Sequence, residues 1–146
     1  MTRRGSIASV APRPRVLVVE DDAALRKVLE LRLGLEGFDV SSAADGQAGL
    51  EALDGVQPDV VICDLMMPRV DGFGFCRTAR HRETTRDLPI VVLTARQKDG
   101  EIEQLLELGD ITFMTKPFDA QLLTTTLREL TARRRDARAE REVRSA

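Results

Sequence analysis

The sequence predicts an α/β fold, a doubly wound five-stranded parallel sheet with five helices, and three observations lead there. Short runs of β-branched and apolar residues recur along the chain, stretches of helical period separate them, and 146 residues suffice for one domain core without metal or disulfide staples. Strands that alternate with helices in this way need right-handed crossovers, which lay helices on both faces of one sheet.

The elements follow in order. Residues 1–14 mix Gly, Ser, Ala, Pro and Arg without a period, and Pro12 and Pro14 favour extended backbone, so this stretch is expected to be a disordered leader. From Arg15 the run VLVV reads as a strand buried on both faces, ending in Glu20, Asp21 and Asp22. AALRKVLELRLGLEG places Leu25, Val28, Leu29 and Leu33 at helical spacing, with Asp22 as N-cap and Gly37 as the stop. FDVSSAA is a weaker strand, DGQAGLEALDG a short helix, and PDVVICD an apolar strand ending at Asp64. GFGFCRTARHR is read as a helix, LPIVVLTA as the fourth strand, and GEIEQLLELG as a helix through Ile102, Leu105 and Leu106. ITFMTK is the last strand and DAQLLTTTLREL the last helix, capped by Asp119. The globular domain is thus expected over 15–130, followed over 131–146 by a charged helix extension or tail, a solvated end that frays.

Composition narrows the function classes. Hydrophobic residues make up 42% and charged residues 32%, with a net charge of -2, which matches neither a disordered chain nor a membrane protein. The charge is unevenly spread: four arginines without an acid precede residue 16, six arginines and three acids follow residue 130, and 12 basic against 21 acidic residues lie between. Trp and Tyr are absent, so base stacking has little to work with. Cys63 and Cys76 form no CxxC, which argues against zinc or a redox pair and fits a reducing cytoplasmic setting. No apolar run reaches membrane-spanning length and no secretory h-region is present.

In an open α/β sheet the ligand site lies beyond the carboxyl ends of the strands. There the predicted strands deliver Glu20 and Asp21, then Asp64, Thr94 and Lys116 to one edge. Gathered carboxylates repel unless a cation neutralises them, and Mg²⁺ or Mn²⁺ with oxygen ligands suits this set. A carboxylate can attack phosphorus to form an acyl phosphate, while a metal, an ammonium and a hydroxyl offset charge on the phosphoryl oxygens. Asp64 is the best nucleophile, because it ends its strand alone whereas Glu20 and Asp21 sit together as metal ligands do.

These residues carry a resemblance. VLVVED, VVICDLMMPRVDGFGF, IVVLTA and TKPF occur in the order and at the spacings of the response regulator receiver domains of two-component signal transduction, which residues 15 to 130 resemble throughout. The resemblance implies a flavodoxin-like sheet of strand order 2-1-3-4-5. It also implies that Asp64 accepts a phosphoryl group from a sensor histidine kinase or phosphotransfer protein, that Glu20, Asp21, Asp64 and the Met66 backbone carbonyl hold the metal, and that Thr94 and Lys116 meet the phosphoryl group. Phe113 takes the place of the aromatic switch, and Lys116-Pro117 stands where the family has a cis peptide. Departures are Glu20 in place of the commoner Asp, Phe113 without the hydroxyl of Tyr, Asp110-Ile111-Thr112 before the last strand, and Gly49 for Ala, which is expected to weaken its helix by up to roughly 1 kcal/mol.

The expected function is a phosphorylation-dependent switch, a phosphoacceptor and not an enzyme. With only 16 residues after 130, it reads as a stand-alone receiver acting on a downstream protein, without direct DNA or membrane binding, with a homodimer possible through the last two helices. A Mg²⁺-dependent phosphohydrolase would need a general acid and a capping insertion that the sequence does not offer. A phosphorylation-independent interaction module would not need the full acidic set. Asp22 is expected to be only an N-cap, Cys63 and Cys76 core residues, and His81 a surface residue.

Overall fold

The computed structural model describes residues 12–67, 69–95 and 100–145. Five strands and five helices alternate: β1 (Arg15–Val19), α1 (Ala23–Leu35), β2 (Asp39–Ala43), α2 (Gly46–Val56), β3 (Val60–Asp64), α3 (Gly72–His81), β4 (Ile90–Thr94), α4 (Glu101–Leu106), β5 (Ile111–Thr115) and α5 (Ala120–Ser145). The sheet is parallel in the order β2-β1-β3-β4-β5, as expected from the resemblance. Of the expected leader, residues 1–11 lie outside the described residues.

Strand periodicity decides which helix covers which face, because successive side chains leave a strand on opposite sides. Leu17, Val19, Val61, Cys63, Ile90 and Val92 join Leu50 and Leu53 of α2, Phe75, Cys76 and Ala79 of α3, and Leu105 of α4 in one core. Val16, Val18, Val60, Ile62, Val91 and Leu93 join Leu29 and Leu33 of α1 and Leu123, Leu127 and Leu130 of α5 in the other. Each fully buried leucine contributes about 1.5–3 kcal/mol of transfer free energy, so the two layers account for why β1, β3 and β4 are central.

Local signals set the element ends. Asp22 accepts N–H bonds from Ala24 and Leu25, and Asp119 from Gln121 and Leu122. Asp45 and Asp71 cap α2 and α3 through Ala48 and Gly74. Gly37, at φ 97°, takes the left-handed turn after α1, and the Phe38 N–H returns to the Leu33 carbonyl. The α4 helix covers only Glu101–Leu106, shorter than the expected 100–109, because Gly109 turns the chain at φ 78°.

Two places carry contacts that the sequence pattern does not show. Gly49 does more than weaken α2: a Cβ there would lie 2.9 Å from Val19 Cγ2 and 3.1 Å from Phe75 Cε1, so its bare backbone permits the close seat of α2 on β1. The tail is not uniformly solvated either, since α5 continues to Ser145 and Arg134 within it is only 6% exposed.

Candidate functional site

The direction of the connections reverses between β1 and β3, and the carboxyl ends of these two neighbours carry Glu20 and Asp64. Glu20 follows β1 directly. Its N–H donates to the Ala43 carbonyl at 3.0 Å and its carbonyl accepts from Arg26 Nη1 at 2.8 Å, so the turn is tied to β2 and α1. Its side chain is therefore held inward, buried, while Asp21 beside it is exposed.

Asp64 ends β3, buried, and the two oxygens of its carboxylate have different partners. Oδ1 accepts the Met66 N–H at 3.3 Å and Oδ2 lies 3.4 Å from Lys116 Nζ. The chain leaves this point tightly: Gly72 donates to the Leu65 carbonyl, and a Cβ on Gly72 would fall 2.2 Å from the Asp64 carbonyl oxygen. Only a residue without a side chain lets α3 start against the end of β3. Gly46 plays the same part for α2 against the Val70 carbonyl. Neither contact could be read from sequence, because each depends on what folds against the glycine.

Lys116 reaches the site from the end of β5. Its N–H donates to the Thr94 carbonyl, and the Lys116–Pro117 peptide is cis. Its Nζ donates to Glu20 Oε1 at 2.9 Å. One carboxylate oxygen from each of Glu20, Asp21 and Asp64 lies within 4.8 Å of the others. Burial raises the Glu20 carboxyl above its ordinary range, and the hydrogen bonds from Lys116 and the Asp22 N–H offset this only in part. Burial works to lower the Lys116 ammonium, but the Glu20 hydrogen bond and the Asp64 charge outweigh it and the net direction is upward.

Three carboxylates with one ammonium leave negative charge in a half-enclosed place. An oxygen-seeking divalent ion fits this donor set, with exposed Asp21 leaving a side open to the waters such an ion keeps. Thr94, fully buried at the end of β4, neighbours this edge, whereas Met66 is half-exposed. Phe113 is half-buried on β5, paired with Val92 and packed against the α2, α3 and α4 core. His81 is exposed, with Nδ1 2.7 Å from the Arg77 carbonyl, and Cys63 and Cys76 are buried core residues.

Residues 16–128 match the family model of the response regulator receiver domain. The DNA-binding dual master transcriptional regulator RpaA of Synechocystis is 37% identical over 120 residues, covering 82% of this chain and 50% of that protein. The chain spans about half the length or less of the curated relatives it matches. Among solved structures, the chemotaxis protein CheY4 of Vibrio cholerae superposes with a TM-score of 0.75 at 29% identity, covering 81% of this chain and 98% of that one. The receiver domain of a sensor histidine kinase from Pseudomonas aeruginosa, solved with a magnesium ion coordinated in its active-site cleft, gives a TM-score of 0.74 at 29% identity over 82% of this chain and 98% of that one.

Proposed function

The chain belongs to the response regulator receiver domain family, and from that premise we propose that Asp64 is the acceptor in a Mg²⁺-dependent phosphoryl transfer that switches the domain between two conformations. The observation that carries this reading is the ammonium of Lys116, 2.9 Å from Glu20 and 3.4 Å from Asp64 across the carboxylate cluster.

In the proposed step a carboxylate oxygen of Asp64 attacks the phosphorus of a phosphohistidine on a sensor kinase or phosphotransfer protein. The P–O bond forms as the P–N bond breaks, and the electron pair leaves with the imidazole. Lys116, already paired with Asp64, keeps one carboxylate partner and turns to an oxygen of the incoming group. The hydroxyl of Thr94 donates to another. Glu20, Asp21, Asp64 and the Met66 carbonyl would hold Mg²⁺, which supplies positive charge against the phosphoryl oxygens. Glu20 is one methylene longer than Asp and still reaches the cluster. The protein is thus a phosphoacceptor that assists its own modification and has no separate substrate to turn over.

Phe113 changes its packing when Thr94 and Lys116 move, and the face of α4, β5 and α5 then presents a different surface to a protein target or a second copy of the chain. That reading places the chain in the cytoplasm beside its kinase. Direct DNA binding is not part of it, because residues 16–130 carry 21 acidic against 12 basic residues and would repel a phosphate backbone. No described helix is long and apolar enough to cross a membrane.

The test is intact-protein mass spectrometry after incubation with a small acyl-phosphate donor. The expected result is the gain of one phosphoryl group with Mg²⁺, none with a chelator, and none in Asp64→Asn. An unmodified wild type under these conditions would contradict the proposal, and steady release of phosphate from an added phosphoester would favour a hydrolase.

A further inference from the structure

At the opposite edge of the sheet, where the strands begin, the far half of α5 passes beside the turns before β3 and β4. Arg134 lies there with 6% exposure. Its Nη2 donates to the Thr84 carbonyl at 3.3 Å, its Nε has no hydrogen-bond partner, and it forms no ion pair among the described residues. The two carboxylates whose charge it feels, Asp59 and Asp87, are engaged by other arginines. Asp59 accepts the Arg15 N–H at 2.8 Å and pairs with Arg138 at 3.1 Å and Arg135 at 3.5 Å. Asp87 pairs with Arg141 at 3.4 Å.

A guanidinium stays protonated when buried, so a buried, unpaired arginine is costly. Burial works against its charge, and Arg138 and Arg141 add like-charge repulsion that Asp87 and Asp59 only partly relieve. Arg134 also lines two adjoining clefts of about 320 and about 470 Å³. In the first it stands with Arg138 and Arg141 against Asp54 and Glu83. In the second, where it stands again with Arg141, five arginines outnumber three carboxylates. Positive charge in excess on concave walls, backed by a buried guanidinium short of partners, makes an anion site. Guanidinium groups fit phosphate by paired hydrogen bonds.

We propose that the arginine-lined clefts around Arg134 bind a small anion that carries phosphate, at a site separate from the Asp64 cluster. The cleft volumes fall in the small-molecule range of about 300–1,000 Å³. A duplex is a poor fit, because its convex backbone does not enter concave clefts of this size. Five-residue strands rising about 3.3 Å per residue separate this edge from the carboxylates, so the two sites do not share a ligand. An occupant would tie α5 to the turns before β3 and β4, coupling the direction of the far half of α5 to ligand level.

Isothermal titration of the full chain in a chelator, with inorganic pyrophosphate, ATP, adenosine and a DNA duplex as separate probes, tests this. Saturable binding of pyrophosphate or ATP and none of adenosine is expected; equal affinity for the two marks a phosphate site, and tighter ATP a nucleotide site. Arg134→Gln and Arg141→Gln should each weaken binding tenfold or more, while Asp64→Asn leaves it unchanged. Arg138→Gln, which removes a more exposed group, gives the same readout in a chain whose fold is checked by circular dichroism. No heat from pyrophosphate and ATP, undiminished binding by the arginine variants, loss of binding in Asp64→Asn, or binding of the duplex alone would overturn the proposal.

Discussion

Lys116 Nζ lies 2.9 Å from Glu20 Oε1, joining the end of the last strand to the end of the first across 96 residues of sequence. Glu20 is 2% exposed, so this ammonium is the principal counter-charge of a buried carboxylate that also feels Asp64. Lys116→Ala should therefore destabilise the protein in the absence of divalent ions by about 1–3 kcal/mol, below the full cost of breaking a buried pair because Lys116 itself remains partly solvated. Added Mg²⁺ should recover part of that loss. Urea unfolding in chelator and in Mg²⁺ checks it, and equal stability of variant and wild type in chelator would count against the pairing.

Asp64→Asn removes one of the mutually repelling charges. Without metal the variant should be as stable as the wild type or more so. The stabilisation by Mg²⁺, which follows RT ln(1 + [L]/Kd), should shrink toward zero. Thermal unfolding across a Mg²⁺ titration reads both effects, and an undiminished Mg²⁺ shift would place the ion elsewhere.

Two glycines predict opposite signs for the same substitution. Gly72→Ala drives a methyl into the backbone at Asp64 and Leu65, where the nearest atom is 2.2 Å away, and should cost about 2 kcal/mol or more while slowing phosphorylation. Gly34 lies inside α1 with nothing within 4 Å of a Cβ, so Gly34→Ala should stabilise by about 0.5–1 kcal/mol and leave phosphorylation unchanged. Denaturant midpoints of the pair measure this.

Arg80 clasps the turn before β5. Its Nε and Nη2 donate to the Gly109 carbonyl, with further bonds to the carbonyls of Leu108, Asp110 and Thr85. Arg80→Lys loses the fork and should destabilise by about 1–3 kcal/mol, with faster hydrogen exchange at residues 108–111 than elsewhere. Uniform exchange along the chain would assign Arg80 no such local hold.

The fold was legible where hydrophobic pattern alone decides it. VLVV, DVVICD and IVVLT are apolar on both faces and could only be central strands, and Asp22 and Asp119 mark helix starts by local hydrogen bonding. Glu20, Asp21, Asp64 and Lys116 were expected at one edge because parallel strands end on the same side, and there they meet. What depends on tertiary approach was not legible. The tight seats at Gly49 and Gly72 and the buried position of Arg134 are set by neighbours distant in sequence. The length of α4 turned on one left-handed glycine that ended an otherwise continuous helical pattern.

Of the three neighbouring carboxylates, Asp64 alone is the proposed acceptor. Peptide-level mass spectrometry of the phosphorylated protein, with fragmentation to locate the modified residue, identifies the acceptor. The phosphoryl group should be found on Asp64 alone, and in Asp64→Asn on no residue of the cluster. A phosphoryl group on Glu20, Asp21 or His81 in the wild type would contradict the assignment.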